Sequence, residues 1–121
     1  MRRFLLGFVY AAQGIGYVIR TQRNFRVHLT IATVVCLAGI YFRIQAIEWA
    51  MIALTTGFVF SAEMLNTVAE MAVDLLTQRR HPMAKAAKDV GAGAVLVAAV
   101  AAVAVGAAIF GPRLWALLFH R

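Results

Sequence analysis

Charge is scarce in these 121 residues: 14% are Asp, Glu, Lys or Arg, whereas 63% are hydrophobic. Soluble globular domains carry about a quarter of their residues charged, so this balance makes the bilayer the expected solvent. Acid is the rarer sign, with five carboxylates against twelve Lys and Arg and a net charge of +7. The basic residues fall between long apolar runs, where they report membrane orientation or contact with anionic headgroups, and no nucleic-acid partner is expected. The single cysteine, Cys36, lies inside an apolar run, which excludes an intramolecular disulfide and argues against a metal-thiolate cluster. No glycine-rich GxxxxGK loop is present, so soluble P-loop chemistry is excluded. His28, His81 and His120 show no metal-ligand spacing and no Ser-His-Asp order. Packing is the expected role of His28, because the sequence implies no partner for it.

What is there reads as one all-α membrane domain over residues 1–121. The stretch Met1–Ala12 superficially copies a secretory signal, but its apolar centre is short. As a helix it sets Phe4, Leu5, Phe8, Val9 and Ala12 on one face, which predicts an amphipathic surface helix over about 3–22 with Arg2 and Arg3 at its wet end. Three spans are expected over about 27–42, 46–76 and 83–118. Within the last, Val90–Phe110 is 21 residues without a charge, against the roughly 20 needed to cross the hydrocarbon core. The short turn around Arg43-Ile44-Gln45 makes the first two spans antiparallel neighbours, and Pro82 suits the start of a helix. Gly91, Gly93 and Gly106 let neighbouring helices approach the third span closely. Trp49 and Trp115, near the outer ends of their spans, are expected as interface anchors.

Nine of the twelve basic residues flank one side: Arg2, Arg3, Arg20, Arg23, Arg26, Arg79, Arg80, Lys85 and Lys88. The positive-inside rule makes that side cytoplasmic and leaves Arg43, Arg113 and Arg121 outside. The N-terminus and the basic loop then lie on the cytoplasmic face of a cell membrane. Three spans offer little interior, so self-association is expected.

Glu63, Asn66, Glu70 and Asp74 follow one another at spacings of three, four and four, which puts them on one face of the second span. At about 1.5 Å per residue, Glu63 stands about 26 Å from Ala46, near the cytoplasmic end of a roughly 30 Å core. A charge at membrane depth costs at least about 2.5 kcal/mol, more than packing alone justifies. Structural contacts with arginines are one reading. The other is a metal-phosphate site, since phosphoryl transfer needs a carboxylate at the attacking hydroxyl, a divalent metal on nucleotide oxygens, and nearby cations. Arg79, Arg80, His81, Lys85 and the Lys88-Asp89 pair supply cations across the following loop.

The segment Glu63-Met64-Leu65-Asn66-Thr67-Val68-Ala69-Glu70-Met71-Ala72-Val73-Asp74 resembles the E-x-x-N-[ST]-x-x-E-x-x-x-D signature of the bacterial diacylglycerol kinase family, and Ala87-Lys88-Asp89 resembles its A-K-D motif. The resemblance runs from about Arg3 to Phe110 and leans toward the undecaprenol kinase branch. It implies a homotrimer of three-span subunits, each with an N-terminal surface helix, and active sites shared between subunits at the cytoplasmic interface of a bacterial membrane. It further implies transfer of the γ-phosphoryl group of ATP to undecaprenol or diacylglycerol. By the same resemblance Glu63 is the general base, Asn66 positions the reacting groups, and Glu70 binds magnesium with the nucleotide. Lys88 and Asp89 contact ATP, with Arg3, Tyr10 and the Arg79-Arg80-His81 loop at its edges, while Asp74 completes the polar face. One position departs: Gln22 stands where the family carries a metal-binding glutamate before Arg23-Asn24-Phe25. Its amide oxygen can ligate magnesium but adds no charge, which predicts a weaker metal site.

Two other readings stay open. Carboxylates on a membrane helix also mark ion pathways, which would suit a small ion-coupled transporter subunit, and Gln22 would suit a catalytically weakened relative with an assembly or regulatory role.

Overall fold

The computed structural model describes residues 1–119; nothing is described of the Arg2 side chain, so its place at the wet end of the first helix, and the tail charge at Arg121, lie outside the described residues. Four helices account for nearly all of it: α1 (Arg2–Thr21), α2 (Arg23–Tyr41), α3 (Ala46–Leu76) and α4 (Pro82–Phe119). No strand occurs among the described residues, and all four helices are long and apolar enough to cross a membrane. The chain is an all-α membrane protein, an amphipathic α1 followed by the three-helix bundle α2–α4.

The connections follow from local chemistry. Only Gln22 separates α1 from α2, in extended conformation (φ −101°, ψ 113°), so Arg23-Asn24-Phe25-Arg26 form the first turn of α2 and not a linker. Arg26 Nη1 reaches back to the carbonyls of Arg20 (2.9 Å) and Ile19 (3.3 Å), giving donors to oxygens that the end of α1 leaves without partners. The α2–α3 turn uses Arg43 at φ 49°. The backbone N–H of Gln45 donates to Glu48 Oε2 (2.8 Å), half of a capping box that starts α3. At the head of α4, His81 Nδ1 accepts from the Met83 N–H (3.2 Å), and Pro82 occupies the first helical position, where no N–H is needed.

The main interface is α3 on α4, with α2 packed against α3. At the end far from the α3–α4 loop, Ile44, Ile52, Ile109 and Phe110 form the buried core, with Val35, Ala38, Phe42, Trp49 and Val105 against it. The half-buried ring of Trp49 lies over Gly39, where an added Cβ would stand 2.7 Å from Cη2. Of the three glycines expected to permit close approach, Gly91 meets a neighbouring helix within the chain, while Gly93 and Gly106 face open space. Trp115 is exposed and packs on Phe119, ring centroids 4.3 Å apart.

The accessible surface is 9502 Å². A compact soluble monomer of this mass exposes roughly 6,400 Å², so the helices bury little against one another and leave their apolar sides for lipid or for other copies.

Candidate active site

The four polar residues of α3 share a helix face but meet different partners. Glu63 is 3% exposed, and Thr67, equally buried, donates from Oγ1 to the Glu63 carbonyl (2.9 Å). That bond keeps the threonine hydroxyl satisfied inside the helix. Glu63 Oε1 stands 3.3 Å from Nε2 of His28 on α2, which corrects the expectation that His28 only packs. One turn further on, Asn66 Nδ2 donates to Glu70 Oε1 (3.1 Å). Asn66 Oδ1 is buried and has no donor. It occupies the space that a Cβ at Gly91 of α4 would fill, so glycine there lets α4 close over the amide.

Asp74, at the exposed end of the face, accepts from Lys88 Nζ on α4 (2.6 Å). Lys88 thus meets the polar face at Asp74, and among the described residues it makes no ion pair with Glu63 or Glu70. Asp89 pairs with Lys85 (2.5 Å) on the surface of α4. Both pairs are largely exposed, and such pairs contribute little to stability. Asp74, Thr77, Arg79, Arg80, Lys85 and Lys88 line a basic depression at the α3–α4 loop. Thr77 Oγ1 accepts from the Arg79 N–H (3.2 Å) to hold the loop, and His81, as the cap of α4, joins the same rim.

Gln22 is half-buried at the α1–α2 joint, and Arg3 and Tyr10 are exposed on α1. Among the described residues none of the three makes a hydrogen bond or ion pair with the α3 face. The structure therefore gathers Glu63, Asn66, Glu70, Asp74 and Lys88, sets the Arg79–His81 loop beside Lys88, and leaves Gln22, Arg3 and Tyr10 apart from them within one chain.

Three polar contacts were not anticipated. The His28–Glu63 approach joins residues 35 positions apart on different helices, and no local spacing announces it. The Arg26 strap had a signal, because a helix end directly followed by another helix needs donors for its last carbonyls. A third pair lies at the opposite end of the bundle. Arg113 donates from Nη1 and Nη2 to Glu48 Oε1 and Oε2 (2.9 and 2.8 Å) and from Nη1 to the Ile109 carbonyl (2.5 Å).

No three His, Cys, Asp or Glu side chains come together among the described residues to hold a metal. Magnesium asks for less than that: it takes one or two carboxylates, keeps several waters and leans on substrate phosphates. The carboxylate of Glu70, held by Asn66 Nδ2, is a hard-oxygen donor of the kind such an ion takes.

Residues 9–110 match the family model described as prokaryotic diacylglycerol kinase. The undecaprenol kinase of Bacillus subtilis is 46% identical over 114 residues, which cover 94% of this chain and 93% of the relative. The diacylglycerol kinase of Synechocystis is 45% identical over 115 residues, covering 94% of this chain and 66% of the relative. A diacylglycerol kinase of Helicobacter pylori is 26% identical over 96 residues, 79% of this chain and 75% of the relative. A match over most of the chain shows that this protein belongs to the prokaryotic diacylglycerol kinase family of lipid kinases.

Proposed function

We propose that this chain transfers the γ-phosphoryl group of Mg-ATP to the hydroxyl of a membrane lipid alcohol, undecaprenol first and diacylglycerol second. The observation that carries the reading is Glu63, a carboxylate only 3% exposed on an apolar helix, one turn from the Asn66–Glu70 pair. A buried carboxylate near the end of a span is where an alcohol at the head of an apolar chain would arrive.

In this reading Glu63 accepts the proton of the lipid hydroxyl as its oxygen attacks the γ-phosphorus, and the bond to the ADP oxygen breaks. Asn66 positions the reacting groups. Lys88 and the Arg79–His81 loop hold the nucleotide phosphates, with Asp89, Arg3 and Tyr10 as further nucleotide contacts and Asp74 holding the Lys88 ammonium (2.6 Å). Glu70 and Gln22 would hold magnesium, which when bound offsets charge on the phosphate oxygens. Gln22, Arg3 and Tyr10 lie off the α3 face, which supports a homotrimer whose sites are completed between subunits; the large apolar exterior supports the same assembly. The basic residues favour a site on the cytoplasmic side of a bacterial cell membrane, where ATP is present. Preference for undecaprenol rests on the similarity to the Bacillus subtilis undecaprenol kinase over nearly the full length of both chains.

The test is transfer of labelled γ-phosphate from Mg-ATP to each lipid by purified protein in detergent, with Glu63→Gln alongside. Transfer by the parent and its loss in the variant is the expected result. No transfer to either lipid at high magnesium overturns the kinase reading, and equal turnover of both overturns the preference.

A further inference from the structure

From the His28–Glu63 approach we infer that His28 is a positioning residue for phosphoryl transfer, acting through Glu63. The inference rests on the reading of Glu63 as general base. A carboxylate has two equivalent oxygens and free rotation at its last bond, so a base must have one oxygen fixed for the other to meet the substrate at a set angle. Among the described residues, His28 is the one side chain within ion-pair distance of Glu63, Nε2 to Oε1 3.3 Å. The carboxylate is 4% exposed and the imidazole 21%, so water competes little for that oxygen. At 3.3 Å the two groups are in ion-pair contact; a turn of the imidazole that aims Nε2–H at Oε1 would pin that oxygen and leave Oε2 for the lipid hydroxyl.

The surroundings separate this role from packing. The rings of Phe25 and Phe60 lie 5.0 Å apart, one helical turn before His28 and Glu63 respectively. That aromatic contact holds α2 on α3 without help from the polar pair. His28 also lies at one end of an apolar pocket lined by Ile31, Val35, Val59 and Phe60. A leucine there would satisfy the pocket and fail only in donating a hydrogen bond.

Three variants of the full-length protein in detergent, with kcat and KM for Mg-ATP and for lipid measured separately, test the inference. His28→Leu is expected to lower kcat about 10- to 100-fold, the usual effect of removing a residue that orients a reactive group, with KM for Mg-ATP unchanged. His28→Gln carries an amide nitrogen to nearly the same place and is expected to recover most of the rate. His28→Asn keeps the amide but falls short, and is expected to behave as His28→Leu; it replaces that variant if leucine proves insoluble. Parental kcat in both His28→Leu and His28→Asn overturns the inference, as does an equal loss in all three. Glu63→Gln, run in parallel, separates the two readings. If it is inactive while His28→Leu turns over normally, only the role of His28 falls. If it transfers phosphate at the parental rate, the general-base reading falls and takes this inference with it.

Discussion

The two ends of the α3–α4 pair are built on opposite plans. At the end bearing Glu48, a guanidinium grips a carboxylate with both terminal nitrogens, a capping bond holds the first turn, and Ile52, Ile109 and Phe110 are buried beside them. At the Glu63–Asp74 end, buried Phe25 and Val59 are joined by polar groups: a carboxylate, a threonine and an amide oxygen with no donor. There the Lys88–Asp74 and Lys85–Asp89 pairs are single and exposed. Unmet polar groups destabilise a fold, so they persist where they serve a bound ligand. On the proposed function the contrast puts cohesion at one end and chemistry at the other, and it can be broken by moving each quality to the wrong end.

The largest effect is expected from Glu63→Gln, which should lower phosphoryl transfer about 10²- to 10⁴-fold, the range for removing a general base. Circular dichroism should show unchanged helix content; a matching loss of helix would mean that the polar end also carries the fold. Gly91→Ala comes next. The added Cβ overlaps Asn66 Oδ1, so the amide must turn away or α4 must withdraw. Overpacking of this kind costs about 1–3 kcal/mol, and turnover should fall about tenfold, the lower range for a displaced positioning group, while a substitution at Gly93, which faces open space, leaves both quantities near parental values. Equal responses at the two glycines would remove Asn66 from the site. Arg113→Leu tests the other end: it should lower the thermal midpoint in detergent while the protein that remains folded turns over at the parental rate. A fall in kcat at temperatures well below the midpoint would erase the division of labour. The smallest effect is expected from Gln22→Glu, which should lower the magnesium concentration for half-maximal rate several-fold, because carboxylates bind hard cations more strongly than amides do. An unchanged magnesium curve would take residue 22 out of the metal site.

Periodicity carried much of this architecture. The three-four-four spacing put Glu63, Asn66, Glu70 and Asp74 on one face of α3, and the proline and basic loop marked the start of α4. What it could not carry was the facing of one helix toward another. Glu48 and Arg113 are 65 residues apart, and nothing near either announces the other; their meeting depends on the rotation of α3 and α4 about their axes. The same holds for His28, whose partner is set by the way Phe25 packs on Phe60. Trp49 shows a related limit: its place near a span end is legible in the sequence, but not the glycine on the facing helix, Gly39, that makes room for its ring. Gln22, Arg3 and Tyr10 were read from resemblance alone, and a single chain does not bring them to the α3 face.

The large surface of the chain bears on how its unfolding would look. Denaturant sensitivity scales with the area newly wetted on unfolding, and here the total accessible surface is already 9502 Å², with many large apolar side chains exposed. A lone subunit in detergent should therefore melt over a broad, shallow transition, and steepness should return only as its outer faces are covered. On the proposed trimer, cooperativity is a property of the covered assembly more than of the chain.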